Sequence, residues 1–390
     1  MLPSLGLVLA LAPAAHAYPW LIQHGYSACA GCHVDPAGGG TLTAYGRSLG
    51  AVLLASHGAV APGTDPGAAK DFAFGAIPLP KAVQLQADVR ALAFPQPVRQ
   101  PDDSLDWSVR AILMQADLRG AVDSGRLVAG GSVGVVSEGA QGAWLTSNAA
   151  GGNLVSREYW AGVRPNKATL VRAGRLPLPF GLRTEEHTLQ VRSATRTSMN
   201  ADQQAGVSVF HGRRRWRAEA MAILGNPQVA PAAYRETGYA AQAFWTPSRT
   251  VEIGASSLRA ASERDVETLE PGVRQAHGVH ARWAPLPHTA VLAEADALRT
   301  TSGGVARDGV AAVAEVDWEP TQGVHLRGIG QFCDTDLDDS TTGATTAWLA
   351  AQWFLLPRVD LRVDALHGTL RCGASDDART MALAQIHAYL

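Results

Sequence analysis

Residues 310–320 read VAAVAEVDWEP. Val310, Ala312, Ala314, Val316 and Trp318 share one parity and Glu315 and Asp317 the other, the period-two signature of a strand with one apolar and one charged face. KAVQLQADVRALAF (81–94) repeats it, setting Val83, Leu85, Ala87, Val89 and Ala91 against Gln84, Gln86, Asp88 and Arg90. In WRAEAMAIL (216–224) Arg217 and Glu219 oppose Trp216, Ala218 and Ala220; in VHLRGIGQF (324–332) His325, Arg327 and Gln331 oppose Val324, Leu326 and Phe332. A soluble sandwich also alternates, so the punctuation has to decide. Short breaks at DSGR, RPNK, GRRR, TPSR, APLPH, EPTQ and LPR alternate with longer ones rich in Asp, Glu, Ser, Thr and Gly. Tight turns at one end and long loops at the other belong to an outer-membrane barrel. Three short breaks follow a tryptophan directly, at Trp245, Trp283 and Trp318, about one hairpin apart, which sets an indole at the same membrane interface each time. The spacing predicts an all-β chain over 81–390, a transmembrane antiparallel β-barrel of about 16 strands. TMALAQIHAYL (380–390) is its closing strand, and both barrel ends lie on the periplasmic side.

Ahead of the barrel the pattern differs. Residues 1–17, MLPSLGLVLALAPAAHA, have a short apolar core and an Ala15-His16-Ala17 ending that fits a signal peptide cleaved before Tyr18. No later run of 18 apolar residues offers a helical membrane span. With 46% apolar and 17% charged residues the chain should fold, and a net charge of −2 without basic runs excludes a nucleic-acid partner. Export without a helical anchor leaves the periplasm, the outer membrane or the outside; with the barrel pattern this points to the bacterial outer membrane, with lipid as the barrel's partner.

SACAGCHVDPAGGG (27–40) carries Cys-x-x-Cys-His. In such a run two thiols can add to the vinyl groups of one haem while the adjacent imidazole faces the iron. Cys29 and Cys32 are therefore the expected covalent anchors of one haem c, and His33 its proximal iron ligand. A redox dithiol would call for a βαβ context, and half a zinc site for a second Cys/His pair nearby. TLTAYGRSLGAVLLASHG (41–58) follows, with Leu42, Tyr45, Leu49, Val52 and Leu53 at helical spacing and Gly58 ending the run. It predicts one amphipathic helix against the porphyrin, with His57 in its last turn. His57 or His24 is the candidate distal ligand. The haem segment, 18–57, is too small to build a core alone, and the Gly-, Pro- and Ala-rich stretch 58–80 reads as a linker.

The remaining cysteines, Cys333 and Cys372, fall at the outer ends of two strands, where a disulfide is the default over metal binding. Acidic outer loops at Asp102–Asp103, ERDVETLE, DTDLDD and Asp376–Asp377 would attract metal cations. The longest break, 176–204, is the third outer loop and carries Arg183, Glu185, Glu186, His187, Arg192 and Arg196. A surface loop is the plain reading and a channel constriction the functional one.

Through LIQHGYSACAGCH (21–33) and TAYGR (43–47), on an exported chain with a wide barrel, the sequence resembles the monohaem cytochrome-porin fusions of the bacterial outer membrane, best known from iron-oxidising bacteria. The resemblance implies electron transfer between an extracellular donor, acceptor or metal ion, iron among them, and a periplasmic c-type cytochrome or other carrier, with Fe(II) oxidation as the associated activity. RAGRLPLPFGLR (172–183) is similar to a Gly-Arg…Pro-Phe-Gly stretch of several porin families, whose third loop folds inward. The rival expectation is a solute-conducting porin in which the haem segment is a plug or sensor. A haem peroxidase or gas sensor would need an open sixth iron position.

Overall fold

The structure, a computed structural model, describes residues 18–58, 72–73, 76–99, 104–136, 153–184, 186, 188–369, 372 and 378–389. The signal peptide, most of the linker, Asp102–Asp103, Asp376–Asp377, Glu185 and His187 lie outside the described residues.

Seventeen strand segments form one antiparallel sheet, from β1 (Val83–Arg99) to β17 (Arg379–Tyr389), each paired with its neighbour in sequence except the short fourth segment and the fifth, which both pair with the third. β1 pairs with β2 (Leu105–Asp123) on one side and with β17 on the other, closing the barrel and leaving no edge. β4 (Asn153–Val155) and β5 (Tyr159–Asn166) pair in succession with β3 (Leu127–Val136), so they are two parts of one stave and the barrel has sixteen. Between them Ser156, Arg157 and Glu158 are all buried: the irregularity re-aims both charges into the lumen, where Arg157 meets Asp117 at 2.7 Å and Glu158 meets Arg119 at 3.1 Å.

The barrel is polar inside and apolar outside, the inverse of a soluble sandwich. Asp317, His325, Arg327, Glu315 and Glu219 are buried, whereas Val316 and Trp318 stand half exposed on the opposite parity. At the short-turn end the outward face carries Trp216, Trp245, Trp283, Trp318 and Trp353, all exposed; Trp216 and Trp245 are direct cross-strand partners. This is the aromatic girdle of a membrane barrel, wider by Trp216 and Trp353 than the three Trp-x-Pro sites alone indicate.

Two elements fill the lumen. From the short-turn end, residues 18–57 pass inside. Tyr18, Trp20, Ile22 and Leu54 form a buried cluster with Ala290 and Phe354, and the Trp20 ring lies 4.0 Å from that of the buried His325. From the long-loop end, the third loop folds inward: Leu178, Phe180, Leu189 and Val191 are buried, and a short helix α2 (Gln190–Thr195) packs across strands on the far wall. Gln190 donates to Thr346 and Thr369, and Arg192 pairs with Glu294. The loop thus lies in the lumen. Cys333 and Cys372 form a disulfide with Cα atoms 5.5 Å apart, joining β14 (Val324–Asp334) to the segment after β16 (Val359–Gly368).

Candidate functional site

The Cys-x-x-Cys-His run forms a single 3-10 turn, Cys29–Gly31, with the His33 N–H donating to the Cys29 carbonyl at 3.0 Å. His33 then bridges Leu42 as a two-residue ladder, and the Val34 N–H donates to Thr41 O at 2.9 Å. The intervening DPAGGG is the turn of this small hairpin; Asp35 Oδ1 accepts from the Ala37 N–H at 2.9 Å. The run after it has a physical reason at each position. Thr43 caps helix α1 (Ala44–Leu53), its Oγ1 accepting from the Gly46 N–H at 3.1 Å. A Cβ on Gly46 would run into the Cys32 carbonyl, so only glycine lets the helix lie against the cysteine turn. Arg47, buried, donates to Leu42 O at 2.9 Å and to Gln84 Oε1 of β1 at 2.7 Å, fastening the helix to the wall.

Cys29, Cys32 and His33 line a partly open cavity together with Tyr18, Leu21, Tyr26, Leu182, Arg183, Arg217, Phe244 and Arg282 among others. Its walls thus come from three sources: the N-terminal segment, the third loop, and barrel strands near the short turns. A second cavity shares Tyr18, Leu21, Cys32 and His33 and extends under Leu42, Leu49 and Leu53 to Tyr389. Both thiols are free and half buried; His33 is buried. Burial pushes the Cys32 thiol up to about 11, with Cys29 adding to the effect, so Cys32 lacks the depressed pKa of a redox nucleophile. Burial lowers His33 to about 4 against the pull of Asp35, leaving a neutral imidazole at physiological pH. Burial alone would raise Asp35, but Arg172 and Arg183 outweigh it and hold its carboxyl down at about 2.

The charges beside the cavity are shared rather than simply paired. Asp35 lies 3.1 Å from both Arg172 and Arg183, and Arg172 reaches Glu219 at 2.6 Å. Arg183 also donates to the Gly38 carbonyl at 2.6 Å, while its Nε and Nη2, both buried, have no hydrogen-bond partner among the described residues. Arg217 and Arg282 converge on the single carboxylate of Glu252, and Arg282 also donates to the Ser27 carbonyl. The Arg217 guanidinium stacks 4.0 Å above Phe244.

The expected distal ligands are placed elsewhere. Helix α1 ends at Leu53, so His57 lies beyond its last turn; it is exposed, with its ring 6.1 Å from Trp353. His24 is held by Glu319 at 2.8 Å, and neither histidine lines either cavity. In both cases a carboxylate or an indole at the short-turn rim captures the ring. Of the constriction candidates, Arg183 reaches the cavity, Arg192 and Glu186 brace the loop against Glu294 and Arg362, and Arg196 ties it to Glu236 and Asp265. Arg282, Phe244 and Tyr26 escape a motif-based reading altogether. Arg217 shows only as a lumen-facing charge in the period-two pattern, because nothing local tells which lumen position faces the plug.

No protein-family model matches the chain, and no curated protein matches it. Among solved structures it is similar to outer-membrane expressed OmpT of Vibrio cholerae, with a TM-score of 0.60, 9% identity, and 80% of this chain and 100% of that one covered. It is similar also to an anion-selective porin from Comamonas acidovorans, with a TM-score of 0.56 and 14% identity over 79% and 98% of the two chains. For the outer-membrane channel DcaP of Acinetobacter baumannii the TM-score is 0.54 and the identity 12%, over 79% and 97%. At such identities the likeness is one of fold. A closed porin-type barrel with an apolar outer face belongs in a bacterial outer membrane, in contact with its lipid.

Proposed function

We propose that this porin-type barrel holds one covalent haem c in its lumen and passes electrons between a periplasmic carrier, such as a c-type cytochrome, and an extracellular redox partner or metal ion. The observation that carries the reading is the position of Cys29, Cys32 and His33 around a cavity inside the barrel rather than on a free domain. The residues present fit the group. Two free thiols and a neutral imidazole line the first cavity, apolar side chains line both, and Arg183 beside them has guanidinium N–H groups without a partner among the described residues. Bound there, haem supplies a one-electron redox centre. Cys29 and Cys32 anchor it, His33 presents its lone pair, Leu42 and Leu49 cover a face, and the barrel wall excludes water. A carrier within the lumen shortens the path across an apolar band of about 25 Å that lipid would insulate.

A second reading is a solute-conducting porin in which residues 18–57 act as plug or sensor. Comparison with solved porins supports it better than the first, since those relatives in fold are channels. What favours electron transfer is the obstruction of the lumen from both ends by elements locked through buried ion pairs.

Haem staining after denaturing electrophoresis, lost in the Cys29→Ala plus Cys32→Ala variant, tests attachment. Intact protein in liposomes then separates the readings. Reduction of an enclosed acceptor by an external donor, without ion conductance, is the expected result. Ion conductance without electron transfer would replace it with the solute-porin reading.

A further inference from the structure

We infer that Arg183, Arg217 and Arg282 bind the carboxylate groups of the haem, so that the third loop and the barrel wall supply the anionic half of its site. This rests on the haem reading above. The cavity lining contains these three guanidiniums and, among the described residues, no carboxylate. Around it four buried arginines, Arg172, Arg183, Arg217 and Arg282, meet three buried carboxylates, Asp35, Glu219 and Glu252. Among the described residues that set carries one more positive charge than negative, and burying an uncompensated charge is costly. Arg183 in addition leaves two buried N–H donors, on Nε and Nη2, without a partner among the described residues. Each such buried donor destabilises the fold unless something accepts its hydrogen bond. A ligand that is apolar over most of its area and carries carboxylates at its edge answers both deficits at once. A guanidinium is the side chain suited to it, because its fork matches a carboxylate.

The segment bearing Cys29 and Cys32 offers no cation of its own to the cavity. Attachment and charge compensation are thus divided between the N-terminal segment and the rest of the chain. The haem's potential consequently depends on the barrel.

The test uses the full chain, assembled in the outer membrane, with Arg183→Gln, Arg183→Lys and Arg282→Gln read by redox titration of the haem absorbance. Removing a cation that neutralises a carboxylate beside the iron favours the oxidised state. Arg183→Gln and Arg282→Gln should keep the covalent haem yet shift the reduction equilibrium toward the oxidised form about tenfold, ~59 mV for one electron. They should also make the potential more dependent on pH, as the released carboxylate titrates; Arg183→Lys should restore most of both. Should Arg183→Gln fail to assemble, Arg282→Gln decides, because Arg217 still neutralises Glu252 in it. Variants that carry haem with an unchanged potential and pH profile would overturn the inference while leaving haem attachment intact. Absence of stainable haem from the unmodified protein would remove the underlying reading first, and this inference with it.

Discussion

Asp35 and Arg183 meet at 3.1 Å in the middle of the lumen although 148 residues separate them. Asp35 belongs to the turn after the cysteine motif and Arg183 to the third loop, so their contact is where the two obstructing elements join. Arg172 of the barrel wall completes the junction, also at 3.1 Å from Asp35.

Asp35→Ala should therefore loosen the plug. Removing one partner of a buried ion pair costs about 3–5 kcal/mol, since the other charge stays buried; here Arg183 loses its carboxylate, while Arg172 keeps Glu219. Conductance in planar bilayers should rise from near zero to discrete channel events. A variant as closed as the unmodified protein would show that the junction contributes little to occlusion.

Gly46→Ala should be damaging, although alanine in place of a helix-interior glycine ordinarily stabilises by about 1 kcal/mol. The added methyl meets the Cys32 carbonyl, which is backbone and cannot swing aside. Haem content per barrel should fall, because the cysteine turn and helix α1 can no longer close on one another. Full haem content with raised thermal stability is the result that would refute this.

His24→Ala and His57→Ala should leave the haem absorption spectrum unchanged. His24 is engaged by Glu319 and His57 packs beside Trp353, away from both cavities. A change in the visible spectrum of either variant would return that histidine to the iron.

Val316→Arg should weaken membrane assembly, by less than the about 2–4 kcal/mol that arginine costs at the midplane of the lipid face, because Val316 stands two residues from the girdle indole of Trp318. Val316 is 48% exposed on the outer face, opposite Val291 and Gly328 on the neighbouring strands. Unfolding in denaturant from lipid bilayers would read it, and Leu326→Arg, cross-strand partner of the girdle Trp318, should cost less.

Breaking the Cys333–Cys372 bridge with serines should lower stability by about 2–4 kcal/mol. The link spans β15 (Ala344–Leu356), which lies between the bridged segments, so its loss should show as a lower temperature for the heat-induced mobility shift in electrophoresis.

What the sequence determined by itself is everything with a short period. Alternation in VAAVAEVDWEP assigns Glu315 and Asp317 to one face because successive side chains in a strand must point oppositely. The spacing of Trp245, Trp283 and Trp318 assigns one end, because each hairpin returns the chain to the same rim. Cys29, Cys32 and His33 are legible as a motif for the same reason: their chemistry is local. Helix α1 was visible in its apolar spacing, though not its end at Leu53, since His57 answers to Trp353 rather than to the helix. Only the tertiary structure decided what faces the motif. Arg183, Arg217 and Arg282 stand far apart in sequence; Arg217 and Arg282 each obey a pattern that fits any lumen position equally well, and Arg183 lies in a loop. Closing the sheet brings the inward side chains of two strands to the level that the third loop reaches, and burial then demands that their charges be shared. The third loop illustrates this: its residues would suit water, yet Glu294, Gln331 and Thr346 inside the barrel offer partners that draw it inward.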